Sequence, residues 1–228
     1  MFKFDYFLYC IPQIAARLDV TLELTFVSAA LALLIGVLVA MIATYKVKVL
    51  YPITRVYVSF MRGTPVVAQL YFFYFGMAVY STAIRDMTPM VAVSIVMSLN
   101  VGAFMSESIR GALLSVDEGQ REAAASLGMT NAQTFWRIVV PQAVRVALPP
   151  LFNDVINLIK MSSLSFMIGV PDIMGAAKIL GANSFRYFEI YAAVMLVYWV
   201  VILAFSALSK WLQRRCEQMY ERDGKADG

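Results

Sequence analysis

The 228-residue chain contains no histidine and only two cysteines, and Asp, Glu, Lys and Arg together make up 15% of it. Without histidine, neither an imidazole zinc site nor a Ser-His triad can be built from this chain. Cys10 and Cys216 form no disulfide framework. No G-x-x-x-x-G-K-[ST] segment occurs, so any ATP hydrolysis linked to this protein must come from another polypeptide. The first residues lack the basic start and small-residue cleavage site of a signal peptide. Instead Phe2, Phe4, Tyr6, Phe7 and Tyr9 cluster before Pro12, a composition suited to a segment (1–18) lying at a membrane interface. No internal repeat or long linker divides the chain, and 1–228 reads as a single domain.

What the chain has instead is apolar surface: 61% of its residues are hydrophobic, against about 45–50% in soluble domains. Uncharged runs at 24–45, 63–84, 87–106 and 190–209 each reach the roughly 20 residues that a bilayer span requires. A further run, 146–170, is long enough but carries Asp154 and Lys160. The expectation is an all-α integral membrane protein with five transmembrane helices, over 19–45, 63–84, 87–110, 143–168 and 188–211. Lys and Arg are retained on the cytoplasmic side. An outside N-terminus and a cytoplasmic C-terminus place thirteen of them inside, Arg62 among these, and five outside, with Cys10 and Cys216 on opposite sides. The net charge of +4 is mostly this retention signal rather than a nucleic-acid surface. Beyond Arg222 the basic tail is expected to lose order.

Between the third and fourth spans lies 115–141, which reads as two short capped helices. Ser115 with Glu118, and Thr130 with Gln133, have the spacing of capping boxes. Gly128 stands where a left-handed residue would close the first helix. Ala123, Ala124 and Ala125 favour helix and let another surface approach closely. A polar, alanine-rich helix between two spans is suited to docking a partner.

The run Glu122-Ala123-Ala124, Gly128, Ile138 and Pro141 resembles the EAA loop of ABC importer permeases, with Val140 where leucine is usual. The segment Phe60-Met61-Arg62-Gly63-Thr64-Pro65 followed by Gln69 resembles the F-R-G-T-P…Q pattern of the polar amino-acid branch, which serves amino acids, cystine and opines. Ser98-Leu99-Asn100 with Glu107, Lys160-Met161-Ser162-Ser163-Leu164, and Val170-Pro171-Asp172-Ile173 are similar to further segments of that branch. The resemblance implies a permease subunit of the bacterial inner membrane that moves a polar amino acid by alternating access. It implies that Glu122, Ala123, Ala124 and Gly128 form a cytoplasmic coupling helix. The implied partners are a second, identical or homologous permease, two ATP-binding subunits that carry ATP and magnesium, and an extracytoplasmic substrate-binding protein. No cofactor is expected in this chain.

Polar residues inside apolar spans are expensive to lipid and mark candidate sites. Gly63 and Pro65 should break the second span, with a helix restarting at Pro65. Gln69 follows that break. Asn100 and Glu107 share one face of the third span, about 10 Å apart. Glu107 has two readings, pairing with Arg110 at i+3 or contact with substrate. On the fourth span Asn153, Asn157 and Lys160 form a stripe, with Asp154 beside Asn157. That stripe is either a hydrogen-bonded helix interface or the lining of a translocation path. Met161, at a position often polar in the resembling segment, removes a potential carboxylate and weakens the case for a cationic substrate. A membrane enzyme would need a catalytic constellation that is not visible. A passive channel or an exporter subunit would share the stripe, but a channel has no use for a capped cytoplasmic helix.

Overall fold

Backbone amides buried in hydrocarbon must bond to one another, and this chain meets that demand with helices. The structure, a computed structural model, describes the backbone of residues 2–226 and the side chains of 2–216 and 218. No strand occurs among the described residues. The elements are α1 (Phe4–Ala15), α2 (Leu18–Thr44), α3 (Leu50–Gly63), α4 (Val66–Tyr71), α5 (Thr82–Arg85) and α6 (Pro89–Leu114). They continue with α7 (Glu118–Ser126), α8 (Asn131–Thr134), α9 (Val140–Met161), α10 (Ile173–Ser184) and α11 (Tyr187–Ala226). The tail is therefore helical past Arg222, to Ala226, and the last two residues lie outside the described ones.

Four helical stretches are long and apolar enough to cross a membrane: Leu18–Thr44, Pro89–Leu114, Asn131–Ile168 and Tyr187–Cys216. A fifth apolar stretch, Val66–Val79, is shorter. The span expected at 63–84 is thus not one helix. A π-helical turn, Phe72–Gly76, and a 3₁₀ turn, Met77–Val79, follow α4 before the chain turns into α5.

The centre of the molecule is α6, about two-thirds of whose most apolar window is buried, against 22–28% for the other three long stretches. Thr88 caps it by accepting from the Val91 amide, and Pro89 fills a first-turn position where its missing donor costs nothing. Its closest neighbour is α2. A Cβ on Gly36 would lie 2.9 Å from the Met105 Cβ, and one on Gly102 would lie 2.9 Å from the Ile35 Cγ2. Glycine at both positions lets the two helices touch almost backbone to backbone. The Ser98 hydroxyl adds a donor to the Ser28 carbonyl at 3.3 Å.

A separate apolar cluster joins Cys10 and Ile14 of α1 to Ile173 and Ala177 of α10 and Ile190 and Ala193 of α11. The aromatic N-terminal segment is accordingly one-sided: Cys10 is fully buried, while Phe4 and Tyr9 are exposed. Both cysteines are free.

Candidate functional site

The break between α3 and α4 lies beside the middle of α6. Thr64 and Pro65 are extended, with ψ of 145° and 131°, so helical bonding stops there. Pro65 is the residue before α4 rather than its first residue. Two distant amides take up the freed carbonyls. Gln69 Nε2 donates to the carbonyls of Met61 (3.1 Å) and Thr64 (3.2 Å) and to Thr64 Oγ1 (2.8 Å). Asn100 Nδ2 donates to the Met61 carbonyl at 2.9 Å and to Gln69 Oε1 at 3.1 Å. One residue before Asn100, the Leu99 carbonyl accepts from the Tyr57 hydroxyl at 2.6 Å. Irregular backbone away from water persists only with partners of this kind.

Beside the break lies a cavity of about 430 Å³. Met61, Arg62, Thr64 and Val66 line it on one side, Asn100, Val101 and Phe104 of α6 on the second, and Asp154, Asn157, Lys160 and Met161 of α9 on the third. Four residues expected from sequence therefore meet here: Asn100, Asp154, Asn157 and Lys160. Gln69 is not in the wall, its amide being occupied by the break. Asn153 is also absent from the wall. Glu107 lies outside it too, with its carboxylate on Arg110 at 2.7 Å from one terminal nitrogen and 3.3 Å from Nε. Of its two readings, the structure shows the ion pair.

Arg62 is a charged cavity residue that sequence reasoning missed. The charge count takes it as a cytoplasmic cation, while its next-door neighbour Met61 bonds to Asn100 near the midpoint of α6 and its guanidinium stacks over the Phe104 ring at 5.3 Å. The available signal was its place just before the Gly-Thr-Pro break. Asp154 Oδ2 is buried without a hydrogen-bond partner.

The segment 115–141 departs from the two short capped helices expected in two respects: α8 is the first turn of the continuous stretch Asn131–Ile168 rather than a separate helix, and the cap of α7 is not Ser115. Thr130 and Gln133 make a reciprocal capping box, at 3.3 and 2.8 Å. Ser115 does not cap α7; its hydroxyl donates to the Ala112 carbonyl at the end of α6, and Asp117 caps α7 by accepting from the Gly119 amide at 2.7 Å. Asp117 stands immediately before the helix, whereas Ser115 still belongs to the preceding one. Gly128 has φ +76°, and the bonds Met129 N–H to Ala124 O and Gly128 N–H to Ala125 O close α7 in the double-bonded left-handed fashion. Ala124 is buried, while Glu122, Ala123 and Gly128 are exposed and Leu127 is 83% exposed.

A third junction follows α9. Asp172, fully buried, caps α10: its Oδ1 accepts from the Gly175 amide at 2.8 Å and its Oδ2 from the Tyr198 hydroxyl at 3.5 Å. Burial pushes its carboxyl from 3.8 up to about 6, against the opposing pull of those bonds.

These features have relatives. Residues 32–219 match the family described as the binding-protein-dependent transport system inner membrane component. The chain belongs to this family. It is 37% identical over 221 residues to a probable amino-acid ABC transporter permease, PatM of Vibrio harveyi, covering 97% of this chain and 99% of that protein. It is 34% identical to the L-cystine transport system permease TcyB of Bacillus subtilis, over 91% of this chain and 88% of that one. The solved structure of an amino acid ABC transporter with histidines superposes with TM-score 0.86 at 32% identity, over 94% of this chain and 99% of that one. As an ABC permease of the inner membrane, the protein is a multi-pass transport subunit rather than an enzyme. Permeases of this family work with separate ATP-binding subunits and a substrate-binding protein.

Proposed function

We propose that this permease carries a polar amino acid inward across the bacterial inner membrane, and that the cavity at the α3–α4 break is its path. The supporting observation is the company in that cavity: Arg62, Asn100, Asp154, Asn157 and Lys160 line one space beside the most buried helix of the fold. An amino acid needs donors for its carboxylate and an acceptor for its ammonium, and these side chains offer both. Gln69 and Glu107, also expected on the path, act around it: Gln69 holds the break and Glu107 sits in its ion pair with Arg110.

In this reading the chain is one transmembrane domain with five crossings, the second being discontinuous and made of α3 together with Val66–Val79. The N-terminus lies outside and the C-terminus inside. Moving Arg62 from the edge into the cavity leaves twelve cytoplasmic cations against five, and the orientation stands. On the cytoplasmic side α7, with Glu122, Ala123, Ala124 and Gly128, couples to an ATP-binding subunit. Two permease chains, identical or homologous, pair with two such subunits, which hold ATP and magnesium. ATP-driven closure then shifts the membrane domain between inward- and outward-open states.

The test is uptake by the assembled transporter carrying Asn157→Leu or Lys160→Met. Each change suits a membrane helix but removes a polar partner, and uptake should fall about tenfold or more with normal assembly. Wild-type uptake in both variants would place the path elsewhere. Uptake that continues without ATP would favour the passive-channel reading.

A further inference from the structure

Resting on the reading of the cavity as the substrate path, we propose that it selects an anionic amino acid, with two carboxylates and one ammonium, over its neutral carboxamide analogue. The argument is one of charge. The wall holds two cations, Arg62 and Lys160, and one carboxylate, Asp154. Among the described residues neither cation forms an ion pair. Glu107, on α6 outside the wall, is already held by Arg110. Counting this pair as well gives three cations against two carboxylates, so the neighbourhood keeps an excess of +1 either way. Met161 stands in the wall where a carboxylate would have balanced it.

A zwitterion would leave one of the two cations, both exposed on the cavity wall, without a counter-charge, at the cost of one charge–charge attraction. A second carboxylate on the ligand removes that cost. Arg62 offers a planar fork for one carboxylate, its plane steadied by the Phe104 ring. Lys160 offers a point charge for the other. The ammonium is left with Asp154, the one carboxylate in the wall. A cationic amino acid would set its charged side chain against the two cations and is excluded on the same ground.

The experiment is direct binding to the purified complex of the permease with its ATP-binding subunits, in lipid nanodiscs at low ionic strength and without the substrate-binding protein. L-Glutamate is compared with L-glutamine, and L-aspartate with L-asparagine, since each pair differs by one charge at nearly constant shape. The acids should bind about tenfold more tightly than the amides, or better. Met161→Asp, which restores a carboxylate to the wall, should erase or reverse that preference, and Lys160→Met should also erase it. Equal or tighter binding of the amides by the wild-type complex overturns the proposal, as does an unaltered preference in Met161→Asp. Failure of both acids to bind overturns it too. Uptake by Asn157→Leu separates the layers: reduced uptake leaves the path reading standing, and normal uptake removes it as well.

Discussion

The chain interrupts its helices at two places in opposite ways. At Thr64–Pro65 the loose carbonyls are taken up by side chains from elsewhere, Gln69 five residues on and Asn100 on another helix. At Gly128 the closure is local: two backbone bonds and a left-handed glycine end α7, and a capping box only two residues later starts α8. At the first break the carbonyls meet side chains that are themselves buried against α6, Gln69 and Asn100; the second is exposed, and water can assist it. Where the partners are brought in from other parts of the fold, a break can serve as the wall of a site.

The most direct way to break this contrast is Asn100→Leu. It leaves Gln69 Oε1 without its donor and takes one of the two donors from the Met61 carbonyl, the Gln69 Nε2 bonds remaining, and an unmet buried polar group costs about 1–3 kcal/mol. The thermal midpoint of the purified complex should fall clearly, together with the yield of assembled transporter. An unchanged midpoint would show that the break holds itself. The matching change at the exposed break is Gly128→Val, which forces a β-branched residue into a left-handed backbone at about 1–2 kcal/mol. Here membrane insertion should be normal, while stimulation of ATP hydrolysis by substrate is lost. Full stimulation in this variant would separate α7 from coupling.

The junction at Asp172 is intermediate, since its carboxylate caps α10 locally and reaches Tyr198 on α11 as well. Folded Asp172 keeps its proton up to about pH 6, whereas the unfolded carboxyl releases it near 3.8. The folded form thus binds more protons across that interval, and this group's contribution to stability declines as pH rises from about 4 to 6. Asp172→Asn should flatten that small slope in melting curves taken between those pH values. A slope that persists would assign it to other groups.

The same contrast governs what could be read in advance. Gly128, Thr130 and Gln133 were legible because every atom that defines their closure lies within a few residues. The false box of Ser115 and Glu118 shows the limit, because spacing alone does not tell which of two adjoining helices owns the hydroxyl. The apolar lengths announced the long helices, but not that 63–84 would fragment into a short helix and two turns. On the fourth span, Asn153, Asn157 and Lys160 could be grouped from helical period with Asp154 beside them, and all but Asn153 reach the cavity wall. That Arg62 joins them could not, since it depends on α3 running alongside α6 as far as Asn100.

The seating of Met105 against Gly36 and of Ile35 against Gly102 has a mechanical consequence. Two pegs, one from each helix and each set in a notch of the other, block sliding and block rotation about the helix axis. Such a joint makes α2 and α6 a single strut. A rearrangement that widens or narrows the cavity then falls to its other two walls, the α3–α4 break and α9, and in α9 Pro149 and Pro150 withhold two backbone donors and soften the helix.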